Sequence, residues 1–80
     1  MLATLFPMKN YIKRLNDWKN SQAMALRQDE LILDLRKIDA EEGKDVADAI
    51  AAAESQVAKR KAYIEEIKAQ IAEAKMKLAA

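Results

Sequence analysis

Residues 46–78 read VADAIAAAESQVAKRKAYIEEIKAQIAEAKMKL, and the spacing of their apolar residues decides the fold. Val46, Ile50, Ala53, Val57, Arg60, Ile64, Ile67, Ile71, Ala74 and Leu78 follow an unbroken alternation of four- and three-residue steps. That alternation keeps one seam of a helix turned toward a partner helix. With Ile50 at an a position, the a sites are Ile50, Val57, Ile64, Ile71 and Leu78, and the d sites are Val46, Ala53, Arg60, Ile67 and Ala74. Only Arg60 is not apolar. The spacing predicts a helix with coiled-coil-type packing over about residues 45–79, with Asp45 as its N-cap and Asp48 suited to the positive end of the helix dipole.

The chain's single glycine, Gly43, stands just ahead of this helix in Glu41-Glu42-Gly43-Lys44-Asp45. Glycine after one helix and aspartate before the next is the signature of a helix–turn–helix hairpin with its turn at about 43–44. Glu41 and Glu42 are poorly placed at the negative end of a preceding helix, which is the one local argument against a stop here.

Upstream of the turn the pattern is less regular. Pro7 fits a helix's first turn, and Met8, Tyr11, Leu15 and Trp18 then line one face. Met24, Leu31, Leu35 and Ile38 line a face roughly opposite. Following the apolar residues from one face to the other requires a stammer, two consecutive three-residue steps from Ala25 through Gln28 to Leu31. A break near Asn20-Ser21, both natural N-caps, would instead separate a short N-terminal helix 7–19 from a helix 21–42. The reading taken is one helix over about 7–42 with a local irregularity. The expected whole is therefore an all-α helical hairpin, with residues 1–80 as a single helical domain.

Composition agrees and narrows the function. The chain has 80 residues, of which 51% are hydrophobic, but 16 are alanine. With one Gly and one Pro, it lacks the turn residues of a β-sandwich or barrel. It has no Cys and no His, which excludes a disulfide scaffold, zinc-finger and iron–sulfur sites, and Cys- or His-based catalysis. No glycine-rich phosphate loop is present, and the carboxylate pairs (Glu30 with Asp34, Asp45 with Asp48, Glu65 beside Glu66) read as solvated helix faces. Lys61–Glu65, Glu73–Lys77 and Lys37–Glu41 read as ordinary i,i+4 pairs. No enzyme activity, cofactor or metal is expected.

No apolar run reaches the ~18 residues needed to cross a bilayer. The apolar start, Met1 to Met8, has no basic region before it and is not expected to act as a leader. Absence of cysteine fits a reducing compartment, so the expected setting is the cytoplasm or an assembly, such as a virion, built there.

The formal net charge of +1 conceals an uneven distribution. Residues 1–19 carry Lys9, Lys13, Arg14 and Lys19 against Asp17, while residues 27–45 carry seven acids against four bases. The basic end, with Tyr11 and Trp18, has the makings of a peripheral membrane contact. Nucleic-acid binding fits less well, because the chain as a whole lacks a large basic field. The expectation favoured here is packing: in a hairpin turning at Gly43, Trp18 falls near Ile67 and Leu15 near Ile71. Arg60 falls near residues 25–29, with Asp29 or Gln28 as nearest partner. Its expected state has the aliphatic stem packed and the guanidinium snorkelling to water.

A second stripe on the C-terminal helix, Ala51, Ala58, Ala62, Ala69, Ala72 and Met76, lies away from the seam. A lone two-helix hairpin buries only a thin core. The Ala stripe, with Leu26, Ile32 and Leu33, is therefore read as surface for self-association or a partner protein. The expected function is that of a non-catalytic structural or adaptor subunit, a homo-oligomer or part of a larger assembly. Its interaction residues are expected to be Tyr11, Leu15, Trp18, Ile50, Val57, Arg60, Ile64, Ile67, Ile71 and Leu78. The alternatives are a small regulatory or inhibitory protein that binds a target by helix-in-groove contacts, and a membrane-surface binder through residues 1–19.

Overall fold

Long runs of Ala, Leu, Lys, Arg, Glu and Gln, uninterrupted by glycine until position 43, favour helix throughout both halves of the chain. The computed structural model describes the backbone of residues 2–79 and the side chains of residues 7–79. It contains two helices, α1 (Leu2–Glu41) and α2 (Ala47–Ala79), packed antiparallel as a hairpin of 64 × 14 × 12 Å.

The helix boundaries differ from the expected ones at two points. α1 begins at Leu2, before Pro7, so Pro7 lies inside the helix. Its ring still suits helical φ so close to the start, and the loss is one amide for the Ala3 carbonyl. α2 begins at Ala47, so Val46 rather than Asp45 holds the cap position, and the Ile50 amide donates to the Val46 carbonyl at 2.9 Å. Asp48 does lie in the first turn, as its charge favours.

The turn is a Schellman closure. The Gly43 amide donates to the Ala40 carbonyl at 3.0 Å, and the Lys44 amide reaches back to the Asp39 carbonyl at 3.1 Å. Gly43 has φ of +87°, a left-handed conformation that side chains beyond glycine resist. The Lys44 ammonium lies 3.4 Å from Asp39 and 3.8 Å from Glu42. This offsets the acids at the negative end of α1, where the last turn holds no basic residue.

α2 turns its seam onto α1. Ala53, Val57, Ile64, Ile67, Ile71 and Ala74 are buried, with Ile67 only 2% exposed, and Val46, Ile50, Arg60 and Leu78 are half-buried. All ten positions read from the four–three spacing face the partner helix or border the contact.

α1 is one helix, as expected: it is continuous through Asn20 and Ser21, and the alternative of a separate short helix 7–19 is not what forms. Its inner row is Met8, Ile12, Leu15, Lys19, Gln22, Leu26, Asp29 and Leu33, all half-buried or buried. These residues follow an unbroken four–three alternation of their own. The stammer vanishes because the inward face keeps its register by using polar residues where the apolar pattern moves to the other side.

Candidate functional site

Three features of the hairpin have enough chemistry to be considered. The first is the polar cluster at mid-seam. Arg60, turned inward from α2, donates through Nε to Asp29 Oδ2 at 2.9 Å and through Nη1 to Gln22 Oε1 at 2.6 Å. Gln22 is 8% exposed, and the Asp29 side chain 12%. The expected outward snorkelling is thus corrected, and so is Gln28 as an alternative partner: Gln22, two turns nearer the chain start than Asp29, takes that place. Burying part of a guanidinium is tolerable because both acceptors meet it within hydrogen-bond distance. Among the described residues no buried side-chain nitrogen or oxygen lacks a partner. The cluster completes the hairpin, since its donors and acceptors are turned toward each other.

The second feature is the aromatic end. The Trp18 indole N–H donates to the Tyr63 hydroxyl at 2.9 Å, and the rings stand edge-to-face with centroids 6.4 Å apart. Trp18 therefore packs against α2 one turn closer to the hairpin bend than the expected Ile67. Leu15 is half-buried on the inner row, whereas Tyr11 and Trp18 flank it and remain about half exposed. Nearer the open end, Met8, Tyr11, Gln70, Glu73, Ala74 and Lys77 line a shallow depression with no converging set of polar groups. The side chains of residues 1–6, which the membrane-contact reading includes, lie outside the described residues.

The third feature is the outer side of α1. Met24, Leu31, Ile32, Leu35 and Ile38 are about half exposed or more, with Met24 at 67% and Leu31 at 58%. Met24, Leu31, Leu35 and Ile38, with Gln28 between the first two, repeat the four–three spacing on the side facing away from α2. Leu26 and Leu33, expected with Ile32 as association surface, face inward instead and only Ile32 is exposed. The Ala stripe of α2 is exposed as expected, from Ala51 to Met76.

The ten expected interaction residues divide accordingly. Ile50, Val57, Arg60, Ile64, Ile67, Ile71 and Leu78 contribute to the contact between α1 and α2, as does Leu15. Tyr11 and Trp18 border that contact. The row of exposed apolar residues on α1 was visible in the sequence as a face, but its outward direction was not. Of the three expected i,i+4 ion pairs, Glu73–Lys77 forms at 3.3 Å; Glu65 pairs at 3.2 Å with Lys68 rather than Lys61, and Lys37–Glu41 is not formed among the described residues.

Among the described residues no cluster of His, Cys, Asp and Glu is arranged to hold a metal ion, and no helix is long and apolar enough to cross a membrane. No protein-family model, no curated protein and no solved structure matches the chain.

Proposed function

We propose that this chain is a non-catalytic structural or adaptor subunit that self-associates, alone or within a larger assembly, through coiled-coil-type helix–helix packing. The observation that supports this reading is the outer row of α1. Five large apolar side chains within fifteen residues stay in water while the same helix turns Lys19, Gln22 and Asp29 toward α2. A monomer gains nothing from that arrangement, because burying each such side chain is worth about 1.5–3 kcal/mol. Exposed apolar patches mark interaction surfaces, and the four–three spacing of this row suits another helix as the occupant. The chemistry of the chain agrees, since it has neither Cys nor His to act as nucleophile or general base.

Light scattering at two protein concentrations tests the proposal. The expected result is a mass above the 9.0 kDa of one chain that rises or holds with concentration. A helical, well-folded 9.0 kDa monomer at both concentrations contradicts it.

A further inference from the structure

The side of α1 facing away from α2 carries charges as well as apolar residues. Arg27 and Asp34 border the row formed by Met24, Gln28, Leu31, Leu35 and Ile38 on one side, and Ala25 and Ile32 border it on the other. Arg27 and Asp34 are exposed, and among the described residues neither makes an ion pair within the hairpin. Among the described residues Glu30 and Lys37 in the same turns also make none, whereas Arg36 pairs with Asp39 at 3.4 Å; what sets Arg27 and Asp34 apart is their position beside the apolar row. Two unpaired charges of opposite sign, one heptad apart beside an apolar row, fit a partner with the same two charges in reverse order.

We propose that the outer row of α1 is covered by the same row of a second copy of this chain, running antiparallel across a two-fold axis. The inference rests on the self-association reading above and specifies its partner, face and direction. In antiparallel pairs, residues at a positions face d positions of the other helix, and the flanking residues of one edge meet their own kind. Placing Gln28 level with Leu31 of the second copy sets Met24 level with Leu35. The same placement brings Arg27 alongside Asp34 of the second copy, and the symmetry makes that contact twice. On the opposite edge Ala25 meets Ile32, so the edge that lacks charge is apolar in both copies.

The alternatives are worse on the same residues. A parallel, in-register pair sets Arg27 against Ile32 and Asp34 against Asp39, leaving one charge against an apolar group and two acids together. Sliding the antiparallel pair by one heptad sets Asp34 against its own copy and Met24 against Glu42. Charge placement thus selects one direction and one register, which is how flanking charges choose partners and orientation in paired helices.

Sedimentation equilibrium on the full chain, with charge-swapped variants, tests the proposal. Arg27→Asp places acid against acid twice, and its dimer is expected to dissociate about tenfold or more readily than wild type at low salt. Adding Asp34→Arg to Arg27→Asp restores the opposite charges, and affinity is expected to return close to wild type. Leu31→Asp with Leu35→Asp is expected to give a helical monomer. Wild-type dimers that ignore both charge swaps but dissociate with Leu31→Asp/Leu35→Asp overturn the antiparallel register while the self-association reading stands. Dimers that survive Leu31→Asp/Leu35→Asp overturn the assigned face. A wild type that is monomeric at every concentration overturns both the inference and the reading beneath it.

Discussion

The two helices dispose of their apolar residues in opposite ways. α2 puts Val57, Ile64, Ile67 and Ile71 inward and leaves alanines, lysines and glutamates outside, as an amphipathic helix does. α1 puts Lys19, Gln22 and Asp29 on its inner row and leaves Met24, Leu31, Leu35 and Ile38 outside. The contact between the helices is therefore asymmetric, an apolar seam on one side against a mixed row on the other. It holds because Arg60, the polar exception in α2's seam, meets the polar residues of α1 where they face it. Half of α1's apolar capacity is thereby left for use outside the hairpin.

The largest expected effect separates the two faces directly. Ile67→Ala should cost about 2–4 kcal/mol in chemical denaturation, because the cavity it leaves lies within the apolar seam that joins α2 to α1. Ile67→Asp should abolish most of the helical circular-dichroism signal, since a thin core has little stability to spare. A fully helical Ile67→Asp protein at low concentration would show that the seam does not hold the hairpin.

Arg60→Ala comes next. It leaves Asp29 and Gln22 facing apolar neighbours without their donor, at an expected cost of about 1–3 kcal/mol. Replacing all three of Arg60, Asp29 and Gln22 by leucine should recover that loss or exceed wild-type stability, as exchanges of partly buried ionic groups for packed apolar ones often do. If Arg60→Ala is neutral in urea unfolding, the cluster contributes nothing and the polar inner row of α1 needs another explanation.

Gly43→Ala is smaller. A Cβ at Gly43 would meet nothing within 4 Å, so the expected cost of about 1 kcal/mol comes from the left-handed φ alone. Thermal unfolding reads it, and a variant as stable as wild type would mean that the turn does not depend on that conformation. The smallest effect on the isolated hairpin belongs to the outer face of α1. Ile38→Ser should leave the stability of the dilute chain within about 0.5 kcal/mol, since exposed substitutions of this kind change little. The same change should reduce the concentration dependence of the melting temperature, which reports association of folded copies.

How much of this was legible in the residues follows from the same contrast. In α2 polarity and direction coincide, so the four–three spacing from Val46 to Leu78 identified the inward row position by position. The Gly43 stop was equally legible, because only glycine settles readily at that φ. In α1 the polarity pattern points outward. Following it from Leu15 and Trp18 to Leu31 and Leu35 leads around the helix and requires a stammer, or else the alternative break at Asn20-Ser21, and the inner row of the continuous helix needs neither. The true inner row, Ile12, Leu15, Lys19, Gln22, Leu26, Asp29 and Leu33, has flawless spacing but mixed chemistry, and it becomes visible only once Arg60 is known to turn inward. Asp29 as the partner of Arg60 was predictable from hairpin register. Gln22 was not, because it lies two helical turns from Asp29 and only the length of the arginine side chain lets both be reached.

In the proposed arrangement the inner contact builds the hairpin and the outer row of α1 associates copies of it. Sedimentation equilibrium of the Leu31→Asp/Leu35→Asp variant, with its helicity read by circular dichroism on the same sample, separates the two roles. The mass is expected to fall to the 9.0 kDa of a single chain while the helical signal remains. A variant that keeps the wild-type mass, or a wild type already at 9.0 kDa under the same conditions, would contradict that arrangement.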